Sequence, residues 1–253
     1  MSEPTQNRLI YGFHAVLAKL RHDAGAVLEL YVDAQRQDAR ARDFLKVAEA
    51  AGVRILPVDG ARLDKMVGTR RHQGVVAKID GRRRELKLVD ILDNLDPADP
   101  ALILVLDGIQ DPHNLGACLR VADAAGAHAV IAPKDRAVGL NATAVKVASG
   151  AADTVPYITV TNLARSLREM QEAGVWTIGA AGEAEQSLYQ VDQTGPVAWV
   201  LGAEGDGLRR LTRDTCDTLA RIPMHGTVES LNVSVASGIC LFEARRQRVA
   251  KAV

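Results

Sequence analysis

Unbroken apolar runs recur through the second half of the chain, at Leu102–Leu106, His128–Ala132, Val175–Gly179 and Val197–Leu201, with helix-length segments between most of them. A strand with one face in water alternates apolar and polar side chains. A run without that alternation has to be covered on both faces, which a parallel sheet flanked by helices provides. The pattern therefore predicts a doubly wound α/β domain of five or more strands beginning at residue 101. Between the strands, a helix fits Asn114–Ala125, with Asn114 as N-cap and Leu115, Leu119 and Ala122 as its buried stripe. Ala142–Ser149 is also helical. A third helix carries Leu163, Leu167 and Met170, capped by Thr161 and ended by Gly174. A last strand, Leu219 to Ile222, is stopped by Pro223, which cannot donate to a ladder. Ser230 or Asn232 then opens a final helix whose stripe is Val235, Ile239 and Phe242, closed by Arg245, Arg246, Arg248 and Lys251 at its negative dipole end.

The first 80 residues alternate on a smaller scale: helix Phe13–His22, strand Val27–Asp33, helix Ala39–Ala51, strand Val53–Val58, helix Ala61–Val67 and strand Gly74–Ile79. This reads as a small α/β domain over residues 1–82, with a charged, proline-containing linker over 83–100 and the larger domain over 101–253. The net charge of zero argues against a nucleic-acid binder, but the distribution does not. From Arg62 to Lys87 there are nine basic and three acidic residues, a local excess of six. A solvated face is the commoner explanation of such a run. Arg70, Arg71, Arg82, Arg83 and Arg84 also suit a phosphate backbone. With 47% hydrophobic and 25% charged residues and no run near 20 apolar residues, a membrane span is not expected. The polar N-terminus lacks the apolar core of a secretory signal. Cys118, Cys216 and Cys240, odd in number and without CxxC spacing, point to thiols in a reducing cytoplasm and to no metal site.

Ligands of doubly wound sheets bind beyond the carboxyl ends of the strands. Three stretches lie there. Asp107 to Arg120 carries Asn114 and Arg120; an ordinary surface arginine paired with Asp123 explains the latter as well as a ligand does. Gly202-Ala-Glu204-Gly205-Asp-Gly207 lets backbone approach a ligand, but it is G-x-x-G-x-G, not the dinucleotide fingerprint, and no P-loop lysine follows. The polar stretch from Ile222 to Asn232 leads into the last helix, where Ser230, Asn232 and Ser234 crowd its unpaired N–H groups. An over-capped surface helix accounts for that stretch equally well.

Taken together, Asn114-Leu-Gly-Ala-Cys-Leu-Arg120, Leu201-Gly-Ala-Glu-Gly-Asp-Gly-Leu208 and Ile222-Pro-Met with Ser230-Leu-Asn-Val-Ser-Val-Ala236 resemble the three motifs of the SpoU (TrmH-like) 2′-O-ribose methyltransferases. Tyr11-Gly-Phe-His-Ala-Val and His72-Gln-Gly extend the resemblance through the first domain. It is nearest to members that methylate guanosine in bacterial 23S rRNA. The resemblance implies an L30e-like RNA-binding domain followed by a SPOUT α/β domain with a C-terminal trefoil knot. It also implies a cytoplasmic homodimer that needs no metal and acts on 23S rRNA or a large-subunit precursor. S-adenosylmethionine would be bound by Gly202, Gly205, Ile222, Met224, Leu231 and Asn232. Arg120 would activate the ribose hydroxyl, with Asn114, Glu204, Ser230 and Asn232 completing the pocket. Taking the proton off a guanidinium at neutral pH costs roughly 9 kcal/mol, so a fixed cation beside the developing alkoxide is the cheaper role for an arginine. The runner-up substrate is tRNA. A non-catalytic RNA-binding dimer is the rival from another class.

Overall fold

The computed structural model describes residues 7–36, 38–80, 86–96, 98–203, 205 and 207–251, leaving aside the side chains of residues 7, 14, 18, 21–23 and 71. The chain divides into two units, Met1–Arg84 and Glu85–Val253.

In the first unit the elements are β1 (Asn7–Tyr11), α1 (Phe13–Asp23), β2 (Val27–Asp33), α2 (Ala39–Ala50), β3 (Ile55–Val58), α3 (Gly60–Val67) and β4 (Val75–Asp80). The strands form one sheet in the order β1-β4-β2-β3. β1 is a strand the apolar pattern did not reveal. It is a short edge strand held by antiparallel pairing to β4 alone, from Asn7 opposite Asp80 to Tyr11 opposite Val76. Ile10, Leu30, Val32, Val75, Ala77 and Ile79 face a core shared with Phe13, Val16 and Phe44. The Phe13 and Phe44 rings meet edge to face at 5.3 Å. Asp38 and Asp59 cap α2 and α3 by accepting from Ala41 N and Arg62 N. The two distinctive stretches of this unit sit side by side: Gln73 Oε1 accepts from Phe13 N at 3.3 Å, and Gly12 N donates to Val75 O.

The second unit runs α4 (Leu88–Leu92), β5 (Leu102–Asp107), α5 (Pro112–Ala124), β6 (Ala129–Pro133), α6 (Ala142–Ala148), α7 (Ala151–Thr154), β7 (Tyr157–Val160) and α8 (Leu163–Glu172). It continues with β8 (Trp176–Ala180), β9 (Val197–Gly202), α9 (Arg210–Thr215), β10 (Thr218–Ala220) and α10 (Val233–Lys251). Six strands form an all-parallel sheet in the order β10-β8-β9-β5-β6-β7. The central strand β5 is buried along its whole length, and one core layer lies on each side of the sheet. This is the covered parallel sheet that the unbroken runs demand. β7 was not anticipated from the sequence, because Tyr157-Ile-Thr-Val is short and only partly buried. Leu88, within the stretch read as linker, is buried in the second core layer with Ala101 and Ile103.

Three local expectations are corrected. α5 begins at Pro112, with Asp111 accepting from His113 N, so Asn114 lies inside the first turn and is not the cap. α8 is capped by Asn162, whose side chain accepts from Arg165 N, not by Thr161. Most consequential is α10. Its buried face carries Val233, Ser237, Cys240, Leu241 and Ala244, while Val235 and Phe242 are 51% and 50% exposed. The basic residues at the end of α10 do more than face its dipole. Arg245 donates to the carbonyls of Ala125 and Gly126. Arg248 donates to those of Pro100, Ala101, Gln193 and Gly195, tying α10 to the segments that lead into β5 and β9.

Candidate active site

Strand order turns at the β9–β5 pair: the chain proceeds outward from β5 through β6 and β7, and the remaining strands lie on the other side. Loops leaving such adjacent strands diverge and open a crevice. Here Gly202 at the end of β9 pairs with Asp107 at the end of β5. The Asp107 side chain is fully buried; its Oδ2 accepts from Arg209 N at 3.0 Å and its Oδ1 lies 3.3 Å from Arg209 Nε. One carboxylate thus anchors the far end of the glycine loop against β5, the neighbour of the strand from which the loop leaves.

Inside the loop, Gly207 N donates to Ala203 O, and Gly205 and Gly207 take left-handed conformations with φ of 84° and 64°. Gly202 is needed for a different reason from ligand contact. A Cβ there would stand 2.0 Å from the carbonyl carbon and oxygen of Gly207 and 2.4 Å from Leu208 N. At Gly202 the returning backbone of Gly207 and Leu208 leaves no room for a side chain.

Against this loop lies the stretch after β10. Together they enclose a cleft of about 860 Å³ whose walls include Gly202, Gly205, Ile222, Met224, Ser230 and Leu231. Leu201, Leu208 and Val233 give it apolar surface, while Glu183, Arg213, Arg221 and Glu229 bring charged groups to it. A cleft of this size with apolar walls and a few polar groups suits a nucleoside-sized ligand. Asn232 stands at the start of α10, where its Oδ1 accepts from Ser234 N at 2.9 Å and from Ser234 Oγ at 2.6 Å. Its Nδ2 donates to Asn114 Oδ1 at 2.9 Å, joining α5 to α10. Behind this pair, Cys118 Sγ and Ser237 Oγ are 3.6 Å apart in the buried α5–α10 contact.

Arg120 is elsewhere. It is exposed and lines a separate groove with His113 and Lys146, which among the described residues shares no lining residue with the large cleft. It does not pair with Asp123, which accepts from Thr154 Oγ1. Glu204, Arg82, Arg83 and Arg84 lie outside the described residues, as does the side chain of Arg71. Arg70 belongs to the first unit, and its side chain is 93% exposed. Asp107 and Arg209 were missed by the sequence reading. The signal for Asp107 was present, an acid ending a wholly apolar strand, but its partner lies 102 residues away. Burial pushes the Cys216 thiol up to about 12, and Cys240, wholly buried, is raised as well. Neither is a nucleophile near neutral pH. Among the described residues no helix is long and apolar enough to cross a membrane, and no group of three or more His, Cys, Asp or Glu is placed to hold a metal ion.

Comparison with known proteins matches residues 101–242 to the SpoU rRNA methylase family and residues 9–84 to the RNA 2′-O ribose methyltransferase substrate-binding domain. The chain is 66% identical over 244 residues to 23S rRNA (guanosine-2′-O-)-methyltransferase RlmB of Ralstonia nicotianae, covering 96% of this chain and 97% of that one. Among solved structures, it is similar to an AdoMet-bound rRNA methyltransferase from Sinorhizobium meliloti, with 27% identity, a TM-score of 0.62 and coverage of 95% and 87%. It is also similar to a TrmH/SpoU tRNA modifying enzyme of A. aeolicus, with 30% identity and a TM-score of 0.56, over 65% of this chain and 84% of that one. Two matched domains in sequence and a relative alike along nearly the whole length agree with the sheet and its loops: the chain belongs to the SpoU rRNA methylase family.

Proposed function

We propose that the protein is an S-adenosylmethionine-dependent RNA methyltransferase that modifies the ribose 2′-oxygen of a guanosine in 23S rRNA. The observation that carries the reading is the cleft in which the glycine loop meets the Ile222–Met224 and Ser230–Leu231 stretches, with Asn232, bonded to Asn114, next in the chain after Leu231. The substrate follows the relatives that share nearly the full chain, both units included. The tRNA-modifying neighbour aligns with only 65% of it. Such an enzyme acts in the cytoplasm, on 23S rRNA or a large-subunit precursor.

In this reading Gly202, Gly205, Ile222, Met224, Leu231 and Asn232 hold the cofactor, mainly through backbone groups and apolar contact. When bound, S-adenosylmethionine supplies an electrophilic methyl group on a sulfonium. The protein's own part is to place the ribose hydroxyl and to stabilise the charge that grows on its oxygen. Ser230 and Asn232 orient the ribose, and Asn114 holds the Asn232 amide. Glu204 completes the pocket. Arg120 serves as a fixed cation beside the developing alkoxide, while the proton leaves to phosphate or water. The C-terminal domain carries the trefoil knot of its family.

Because the Arg120 groove is separate from the cofactor cleft within one chain, we read the active form as a homodimer in which a second copy brings Arg120 to the cleft. The outward face of α10 supports this. Val235, Phe242 and Val249, spaced seven apart, are 51%, 50% and 65% exposed, and Ala117 and Ala124 of α5 are small, accessible neighbours in the sequence pattern. Sedimentation at micromolar concentration should show a dimer, and an active 27.1 kDa monomer would defeat that part of the reading. The small unit supplies RNA affinity through Arg70, Arg71, Arg82, Arg83 and Arg84. The deciding experiment maps ribose methylation in rRNA from cells with and without the protein. One 23S guanosine should lose its methyl group. A change confined to tRNA would transfer the activity to the other substrate, and no change in any RNA would leave only a binding dimer.

A further inference from the structure

The second concavity of the C-terminal unit, about 610 Å³, is lined by side chains: His113 and Arg120 of α5, Thr143 and Lys146 of α6, and Ser149 just beyond. Its shape is set where the two helices cross. A Cβ on Gly116 would stand 2.6 Å from the Ala144 carbonyl oxygen and 2.7 Å from Val147 Cβ, so α6 backbone and the Val147 side chain rest directly on Gly116. His113 and Arg120 lie one turn before and one turn after Gly116 on α5, while Thr143 and Lys146 sit one turn apart on α6. Residues a turn apart share a helix face, and the close crossing brings the two faces into one groove.

The groove holds an imidazole, a guanidinium, an ammonium group and two hydroxyls, and among the described residues no carboxylate lines it. Its three basic residues are exposed. The nearest acid along α5 after Arg120, Asp123, is engaged by Thr154 Oγ1 at 2.5 Å, and the acid before His113, Asp111, accepts from the His113 backbone as helix cap. Basic groups gathered without acids repel one another, and an anion relieves that repulsion. Ammonium, guanidinium and hydroxyl donors together are the set that proteins present to phosphodiester oxygens.

We propose that this groove holds the RNA backbone phosphates beside the nucleotide to be methylated. Lys146 and Thr143 make contacts of their own, and Arg120 stands at the border between the groove and the reacting ribose. The inference rests on the reading of the chain as an RNA ribose methyltransferase and adds to it the place where the substrate's backbone lies.

The test uses the full chain and unmodified 23S rRNA transcribed in vitro, with Lys146→Ala, Lys146→Arg and Lys146→Glu. Binding is measured across salt concentrations, and S-adenosylmethionine affinity by calorimetry. Lys146→Ala should weaken RNA binding several-fold and lower the salt slope by about one, the signature of one lost phosphate contact. Lys146→Arg should restore the slope, while cofactor affinity stays at its wild-type value in every variant. An unchanged slope in Lys146→Ala, in a wild-type protein that does methylate RNA, overturns the groove and leaves the enzyme. A Lys146→Glu variant that sediments differently but keeps the wild-type slope overturns it too, assigning this face to contact between copies. Failure of the wild type to methylate any RNA would instead sink the functional reading, and the slope would still decide whether the groove binds phosphate.

Discussion

The two clefts of the C-terminal unit differ in what fixes their shape: a tightly folded glycine loop in one, and the crossing of two helices in the other. Beside Gly202 the glycine loop folds back so closely that a single added carbon would stand 2.0 Å from Gly207, while apolar and charged side chains such as Leu208, Met224 and Arg221 line the rest of the cleft. Between α5 and α6 the basic side chains of His113, Arg120 and Lys146 stand around a floor that includes Ala142 and Val147, beside the close crossing at Gly116. A backbone-built site resists changes of side-chain chemistry but tolerates no added atoms. A site built of side chains responds to charge and can be retuned one residue at a time. In the proposed enzyme this division is useful: the cofactor is the same in every turnover, whereas the RNA has to be recognised, held and released.

Arg120 gives the sharpest way to break the comparison. Arg120→Ala should lower methyl transfer by about two to three orders of magnitude, the scale of removing one stabiliser of a developing anion, with cofactor affinity unchanged by calorimetry. Arg120→Lys separates two roles. As a fixed cation it should keep partial activity with little new pH dependence. As a proton acceptor it should show a rate limb rising through the lysine's own pKa. Full activity in the alanine variant would remove Arg120 from the chemistry altogether.

Gly202→Val should lower S-adenosylmethionine affinity by at least about 100-fold, close to 3 kcal/mol at 1.4 kcal/mol per decade. The reason is that the loop has to open to admit the side chain. Ser230→Ala, which adds nothing to the backbone wall, should change cofactor affinity far less. Calorimetry giving equal losses for the two variants would mean that this wall is not built of backbone after all.

A smaller effect is expected at the other crossing. Gly116→Ala places its carbon 2.6 Å from a carbonyl oxygen, and overpacking of this kind costs typically about 1–3 kcal/mol. Denaturant unfolding should show that loss, together with weaker RNA binding as the α5–α6 groove widens. Normal RNA affinity in a destabilised variant would separate the groove from the crossing.

The smallest expected effect lies at the opposite end of the sheet from both clefts. His128 accepts from Leu102 N through Nδ1 at 3.1 Å. Burial holds its pKa below the usual 6.5, with Asp99 partly offsetting the effect. The unfolded chain therefore binds this proton more readily, so its contribution to stability is present above about pH 6.5 and is lost as the pH falls below that. Thermal unfolding from pH 7.5 to 5.5 should decline, and less steeply in His128→Gln. Identical pH profiles would show that His128 carries none of the dependence.

The parallel sheet was legible in the sequence because Leu102–Leu106 and Val197–Leu201 carry no alternation, and Leu115, Leu119 and Ala122 proved to be the buried stripe of α5 as their spacing requires. The edges were harder to read. β1 and β7 are short, and their pairing to β4 and β6 is a long-range matter that local pattern does not carry. The C-terminal helix misled for a physical reason. It has two apolar stripes, and the one that is buried includes Ser237 and Glu243, residues that composition rules place outside. Ser237 is accommodated by donating to Val233 O, and Glu243 by accepting from Arg246 and Gln247.

By itself the sequence determined the two α/β units, the loops in which chemistry could sit and, through three stretches of motif, the family. These depend on the periodicity and identity of neighbouring residues, which any reader of the chain can see. Only the tertiary structure decided that Asn114 and Asn232, 118 residues apart, share a hydrogen bond, that Asp107 anchors Arg209, and that Arg120 stands in a groove apart from the glycine loop. Each of these is a contact between distant segments, set by how α5, α6 and α10 pack on the sheet and on one another. Helix periodicity states which residues share a face, but only packing determines what that face meets.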